Sequence, residues 1–226
     1  MRKGDEVPVH HNQPDLVDRR VRVQGKPVDS YPALPPEAER GSLRRITVVG
    51  EEILHRPCQE VTEFGTPALS ALIDDMFLTM HVADGAGLAA NQVDVDLRLF
   101  VYDCTDEFGV RHVGHIINPV VDQPDPADRR LIDDAEGCLS VPGAGMDVPR
   151  TDRAVARGFD KDGNLLTIGG TGYFARCLQH ETDHLLGHLY LDRLSKRDRK
   201  DALRQMTDRR ESVFAQRATK AARLGH

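Results

Sequence analysis

The chain has 226 residues, of which 39% are hydrophobic and 5% aromatic, enough for one domain with a modest core. No apolar run approaches the ~18 residues of a membrane span, and the first residues lack the apolar stretch of a secretion signal, so we expect a cytoplasmic protein without membrane contact. The formal net charge of −6 is uneven, because residues 193–226 hold eleven Lys and Arg against four Asp and Glu.

The first 43 residues differ in composition from the rest of the chain. They contain six of the thirteen prolines and show no apolar periodicity. Polar, proline-rich stretches of this kind do not build a packed core. We therefore predict an N-terminal extension over residues 1–43, disordered or draped over the body, and a folded domain over residues 44–194.

From residue 44 the pattern changes to helices and strands. ITVVG (residues 46–50) is a short β-branched run, which is typical of a strand. Thr66 and Pro67 suit the cap and first turn of a helix whose apolar residues recur every three or four positions. LRLFVYD and HVGHIIN predict strands. The stretches on either side of residues 161–163, Lys-Asp-Gly, predict a β-hairpin.

The stretch TGYFARCLQHETDHLLG (residues 171–187) predicts a helix with apolar surface over much of its circumference, which favours burial. His180 and His184 are one turn apart and therefore lie on the same face, with Glu181 beside them. This arrangement is typical of a catalytic metal site, in which the carboxylate takes a proton from a metal-bound water. The alternative is a pair of ordinary helix histidines.

A catalytic metal site needs about three protein ligands and one open position. The downstream candidates are unconvincing, because His188 lies past the expected helix end, Glu211 is in the basic tail and His226 is the last residue. Cys177 is on the same helix, where ~10 Å separates it from the far histidine, so it is better placed as a wall residue. Cys138, in EGCLSVPG, can approach from another element, and its thiolate suits iron(II) or zinc.

Residues 195–226 predict a long terminal helix with few apolar positions. Ser195 and Asp198 resemble a cap signal at its start, and we expect the helix to be lightly docked and frayed at its end. Its positive charge predicts an anionic partner, and the alternative is a solvated helix face.

Three short motifs occur in order along the chain: GAGLAANQ (Gly85–Gln92), EGCLS (Glu136–Ser140) and QHETDH (Gln179–His184). Together they resemble the signature motifs of the peptide deformylases, and the resemblance covers roughly residues 44–193. It implies a compact α+β domain with antiparallel strands around a central metal-binding helix. It also implies that residues 44–194 form a catalytic domain.

The resemblance implies an enzyme that removes the N-formyl group from the N-terminal methionine of new proteins and releases formate. It implies one divalent metal ion, iron(II) in the cell, which zinc, nickel or cobalt can replace. Glu181 would be the general acid/base on a metal-bound water, and Gln92 and the Leu139 N–H would stabilise the oxyanion. The implied metal ligands are Cys138, His180 and His184.

The resemblance also implies where the substrate lies. Gly145 stands where the family often has a basic residue near the substrate, so the family's substrate anchor is not carried over to this chain, whereas the chemistry is. Arg150 is expected to pair with Glu136 and to brace the cysteine loop. The implied substrate-contact residues are Ala86, Gly87, Gly137 and Cys177, with Cys177 in the wall of the methionine pocket.

The implied partners are N-formylmethionyl nascent peptides and, through the basic tail, the ribosome, whereas no contact with DNA is expected. Two alternatives stay open. A zincin-like metallopeptidase would need a downstream metal ligand. A non-catalytic, ribosome-associated scaffold of the same fold would not need its metal and acid/base positions to be filled.

Overall fold

The computed structural model describes residues 18–122, 124–125 and 127–226. The helices are α1 (Pro36–Arg40), α2 (Pro67–Val82), α3 (Gly172–Leu185) and α4 (Lys196–Arg223), and short 3-10 helices span Glu52–His55, Ala90–Val93 and Tyr190–Arg193. The strands are β1 (Arg22–Val23), β2 (Lys26–Pro27), β3 (Gly87–Ala89), β4 (Leu99–Thr105), β5 (Arg111–Asp122), β6 (Leu131–Gly137), β7 (Gly145–Thr151), β8 (Arg153–Phe159) and β9 (Leu165–Thr171).

The long strand β5 organises the main sheet. One edge of β5 pairs with β4, which pairs in turn with β3, and both pairings are antiparallel. The other edge pairs in parallel with β1 and, beyond a bulge between Ile117 and Val120, antiparallel with β8, whose far edge carries β9. Strands β6 and β7 form a separate antiparallel hairpin. Helix α3 packs against β3, β4, β5, β8 and β9, and the expected compact α+β fold is confirmed.

Local sequence explains several elements directly. The Thr66 side chain accepts a hydrogen bond from the Leu69 N–H at the start of α2, and Pro67 is its first residue. The apolar stripe of α2 is buried in the core as predicted. Strands β4 and β5 and the β8–β9 hairpin are also confirmed, and Gly163 takes the left-handed conformation that the hairpin turn requires.

The strand predicted at residues 46–50 is wrong. The Thr47 N–H donates to the Gln92 carbonyl and the Val49 N–H to the Ser140 carbonyl, so the two bonds reach two different segments. A ladder needs successive bonds to one neighbouring strand, which this segment lacks. Conversely, the pattern missed β3, β6 and β7, because β3 has three residues and β6 carries acidic residues in place of an apolar alternation.

Residues 18–43 lie against the body of the protein. Strand β1 pairs with β5, and the Gln24 side chain contacts His115 on the same strand. Helix α1 packs on α2, and Arg111 donates hydrogen bonds to the carbonyls of Pro32 and Ala33. The predicted boundary after residue 43 remains a prediction, and residues 1–17 lie outside the described part of the chain.

Helix α4 begins where predicted, since the Ser195 side chain accepts a hydrogen bond from the Asp198 N–H. The helix continues to Arg223 and is lightly docked as expected, because Ala202 and Ala221 are the only buried residues of this fully described helix. Fraying at its end stays a prediction. Within the described ranges, no helix has the length and apolar character needed to cross a membrane.

Candidate metal centre and active-site cleft

Three donor atoms from two elements converge inside the domain. Helix α3 places the Nε2 atoms of His180 and His184 3.2 Å apart, and the Cys138 Sγ, from the loop after β6, lies 3.2 Å from the His184 Nε2. All three ligand atoms lie within 4.8 Å of one another, and all three residues are buried. Two nitrogens bound ~2.05 Å from a tetrahedral ion are ~3.3 Å apart, so this spacing fits one divalent ion.

The other candidate ligands do not join this cluster. Over the described residues, it is the one group of three or more His, Cys, Asp or Glu side chains whose donor atoms converge. His188, Glu211 and His226 are outside it, and so is Cys177. The Cys177 Sγ instead contacts the Ala86 carbonyl at 3.6 Å.

A buried ionic network orients the metal-site histidines. The Glu136 carboxylate lies 2.7 Å from the His180 Nδ1, which turns the Nε2 atom toward the donor cluster. Arg150 and Arg176 both donate to Glu136, so the predicted Arg150–Glu136 pair is confirmed. Burial opposes ionisation of Glu136, but Arg150 and His180 hold its pKa well below its usual range. The carboxylate is therefore charged and keeps the imidazole in place.

His184 is held in another way. The Asn91 side chain donates to the His184 backbone carbonyl at 2.6 Å, which ties the end of α3 to the 3-10 helix of the first motif. Burial lowers the pKa of His184 well below its usual range, so its imidazole is neutral. Neutral imidazole is the form that binds metal ions.

Glu181 lies beside this cluster, in a buried position only 4% exposed. Its Oε2 atom has no hydrogen-bond partner among the residues that the structure describes. Gly87 on β3 leaves the space for this carboxylate, since a Cβ at Gly87 would lie 2.5 Å from the Glu181 Oε1. Burial raises the pKa of Glu181 to about 7. A carboxyl group of this kind can both accept and return a proton near neutral pH.

The Gln92 side chain is fixed by its hydrogen bonds. Its Oε1 accepts from the Ala89 N–H at 2.9 Å, and its Nε2 lies 3.2 Å from the Ser140 Oγ and 3.6 Å from the Cys138 Sγ. The amide N–H₂ group therefore faces the donor cluster. Leu139, directly after Cys138, also lines the cleft.

A cleft of about 370 Å³ opens onto the donor cluster. The four predicted substrate-contact residues, Ala86, Gly87, Gly137 and Cys177, all line it, as do Gln92 and Leu139. Gly145 is not part of the lining. It pairs with Gly137 across the β6–β7 hairpin, and its N–H donates to the Gln205 side chain.

Helix α4 supplies part of the cleft wall, which the sequence analysis did not predict. Val213, Gln216 and Arg217 line the cleft together with residues of α3 and β3. Their only sequence signal is the thin apolar stripe of the tail, which shows that one helix face is covered but not what covers it. The tail is therefore a component of the site and not merely an appendage.

Known proteins resemble the chain in sequence. The sequence profile of the polypeptide deformylase family matches residues 43–200. Peptide deformylase 1 of Streptomyces avermitilis is 59% identical over 172 residues, which are 75% of this chain and 78% of that protein. A peptide deformylase of Mycolicibacterium vanbaalenii is 47% identical over 174 residues, covering 71% of this chain and 86% of that protein.

Solved structures agree with the sequence comparison. The crystal structure of peptide deformylase from Ehrlichia chaffeensis superimposes with a TM-score of 0.68 at 35% identity and covers 76% of this chain and 99% of that one. The same enzyme in complex with actinonin gives a TM-score of 0.67, covering 74% of this chain and 98% of that one. Sequence, fold and the buried Cys-His-His cluster lead to the same conclusion: the chain belongs to the polypeptide deformylase family.

Proposed function

We propose that this enzyme hydrolyses the formamide bond of N-formylmethionyl peptides in the cleft above Cys138, His180 and His184, releasing formate and a free amino terminus. The observation that carries this proposal is the convergence of these three donors in an open cleft, beside the buried Glu181 carboxylate, whose Oε2 has no partner among the described residues. The family assignment supplies the reaction class, and the arrangement of the side chains supports how each residue acts.

The donor set supports one divalent metal ion held by Cys138, His180 and His184. When bound, the ion acts as a Lewis acid and lowers the pKa of water, so that a nucleophile is available at neutral pH. A thiolate beside two imidazoles suits iron(II), which we propose as the ion in the cell, and zinc, nickel or cobalt would occupy the same donors.

Glu181 is proposed to move the protons of the reaction. It takes a proton from the attacking water and returns it to the nitrogen that leaves as the new amino terminus. Gln92, through its Nε2, and the Leu139 backbone N–H are proposed to donate hydrogen bonds to the substrate oxygen as it becomes an oxyanion. Because the Gln92 amide is already fixed by Ala89 and Ser140, it does not have to reorganise during the reaction.

The substrate is proposed to enter as an extended peptide. Gly87 and Gly137 carry no side chain, so a peptide backbone can approach the main chain closely at both edges of the cleft. Cys177 and Ala86 are proposed as walls for the methionine side chain. The Cys177 thiol suits an apolar wall, since its hydrogen bond with Cys104 and its burial raise its pKa well above the usual range.

Glu181→Gln tests this proposal. The protein is purified anaerobically, its metal content is measured, and formate release is followed on formyl-Met-Ala-Ser beside the acetyl analogue. We expect turnover of the formyl peptide alone, and a loss of about 10²- to 10⁴-fold in the variant at unchanged metal content, because an amide cannot accept the proton. Near-normal turnover by the variant would remove Glu181 from the mechanism.

The same assay separates the two alternatives. A zincin-like metallopeptidase would cleave internal peptide bonds of the substrates. It would also need a metal ligand downstream of His184, and the described part of this chain places none at the donor cluster. A scaffold without activity would bind metal and release no formate. Both outcomes differ from the selective loss of the formyl group that we expect.

We further propose that the enzyme works in the cytoplasm on nascent chains and binds ribosomal RNA through the outer face of α4. Its exposed basic residues include Arg197, Lys200 and Arg204, and attraction to phosphate would weaken with salt. Deleting residues 199–226 would not be a clean test, because it would also remove part of the cleft wall. We therefore choose the three exposed substitutions to Gln. Co-sedimentation with ribosomes at low salt should fall while turnover of a short peptide is unchanged, and undiminished co-sedimentation would contradict the proposal.

A further inference from the structure

Arg217 is a cation that faces the cleft without a carboxylate partner. In the described part of the chain it forms no salt bridge, and its Nε is buried without any hydrogen-bond partner. Its one hydrogen bond runs from Nη2 to the Leu139 carbonyl at 3.1 Å. By contrast, Arg150 and Arg176, deeper in the site, are both paired with Glu136.

Burying a guanidinium N–H without an acceptor is energetically unfavourable. An arginine has five N–H donors. A buried donor without an acceptor loses its hydrogen bonds to water and gains none in the protein, which costs free energy. Burial lowers the pKa of Arg217, because desolvation disfavours the charged form. The structure thus places unused donors and a positive charge on the wall of the cleft, where an oxygen acceptor would relieve both.

Two other residues of α4 attach the helix to the body of the protein and so hold Arg217 in place. Lys220, one turn further along α4, donates to the His81 carbonyl and pairs with Asp84. Arg209, earlier on the same helix, donates to the Gly143 carbonyl at 3.4 Å, in the loop that carries Cys138. Because α4 is bonded both to the end of α2 and the loop after it and to the loop that carries Cys138, the guanidinium is in place before any substrate enters.

We propose that Arg217 is a substrate-binding residue that receives a main-chain carbonyl or carboxylate oxygen of the formylated peptide beyond its methionine. This inference rests on the proposed function. The carbonyl to which Arg217 donates belongs to the residue directly after Cys138, so the guanidinium lies next to the loop that carries one of the three proposed metal ligands. A peptide that extends past its methionine along this wall brings its next oxygen acceptors toward α4, and the positive charge favours them over an apolar group.

The test uses Arg217→Met, which keeps the apolar stem, Arg217→Lys, which keeps the charge, and Arg210→Met as the matched control. Arg210 is an exposed arginine on the same helix that does not line the cleft. The substrates are formyl-Met-Ala-Ser with a free carboxylate, the same tripeptide as its amide, and N-formylmethioninamide, which has no residue after methionine.

We expect Arg217→Met to raise KM for the tripeptides by about 10- to 100-fold, the loss typical of a hydrogen bond to a charged group, with little change in kcat. KM for N-formylmethioninamide should be unchanged. Arg217→Lys should give a smaller rise in KM, because the ammonium keeps the positive charge but lacks the planar fork of donors. A rise that persists with the amidated tripeptide identifies a carbonyl acceptor, and a rise with the free acid alone identifies the carboxylate. Arg210→Met should match the wild type on all three substrates.

Two outcomes would overturn the inference. Unchanged KM for both tripeptides removes Arg217 from substrate binding. An equal fall in kcat on all three substrates at constant KM shows that Arg217 only holds the Leu139 carbonyl. If thermal unfolding shows that Arg217→Met does not fold, Arg217→Lys is used in its place. A KM that rises for the tripeptides but not for N-formylmethioninamide then supports the inference, and an unchanged KM for the tripeptides overturns it. A wild-type protein inactive on every substrate would refute the proposed function itself, which separates the two failures.

Discussion

Gly87→Ala adds one methyl group beside the Glu181 carboxylate and so tests whether its position is essential. A Cβ at Gly87 would lie 2.5 Å from Oε1, 2.7 Å from Cγ and 2.8 Å from Cδ of Glu181, whereas ordinary contacts lie at 3.4–4 Å. Glu181 is only 4% exposed, so it has little free space to move into. Either the carboxylate or β3 must therefore shift by up to about 1 Å.

Such a shift should affect turnover much more than stability. Overpacking of this size costs about 1–3 kcal/mol of unfolding free energy. A general base moved out of reach costs up to about 10²- to 10⁴-fold in kcat. The metal should stay, because the three atoms nearest to the added methyl group all belong to Glu181, which is not one of the proposed ligands.

The measurement is formate release from formyl-Met-Ala-Ser, together with metal content and thermal unfolding. Gly169→Ala is the matched control, because a Cβ on this exposed residue of β9 would meet no atom within 4 Å. It should leave kcat and metal content at wild-type values. The reasoning is refuted if Gly87→Ala keeps wild-type kcat, or if its turnover falls only in proportion to lost metal.

Three further predictions concern the metal and the pH dependence of stability. Cys138→Ala should abolish tight metal binding while Cys177→Ala retains the ion, because only the first thiolate belongs to the donor cluster; equal metal content in both variants would contradict the assignment. Enzyme loaded with iron(II) should lose activity in air faster than zinc-loaded enzyme, since both the ion and the Cys138 thiolate can oxidise, and equal decay rates would count against an oxidisable site. Burial lowers the pKa of His115 from 6.5 to about 4, and its Nε2 accepts a hydrogen bond from the Lys161 N–H, while Asp160 nearby opposes the shift. The unfolded chain therefore binds the proton more readily, so this group's contribution is fully present above pH 6.5 and is lost as the pH falls toward 4, by up to about 3 kcal/mol. His115→Gln should lessen the fall of unfolding free energy between pH 7 and pH 4.5 in denaturant titrations, and an unchanged fall would refute this account.

Local sequence was sufficient wherever the cause of a structure is itself local. The spacing of His180 and His184 places them on one face of any α-helix, whatever the rest of the fold does. Thr66 and Pro67 determine the start of α2 in the same way, and the hairpin at residues 161–163 follows from its turn. The chemistry of the site was therefore visible in the chain, because it depends on residue type and on neighbours within one helical turn.

Tertiary structure decided what depends on segments far apart in the chain. ITVVG has the composition of a strand, yet its backbone N–H groups donate to a 3-10 helix and to a loop that are far apart in the chain. Arg217 has the character of an ordinary helix arginine until α4 folds across the cleft and buries its Nε beside Leu139. In both cases the outcome is set by which remote surface covers the segment, and burial between remote segments leaves no periodic trace in the local sequence.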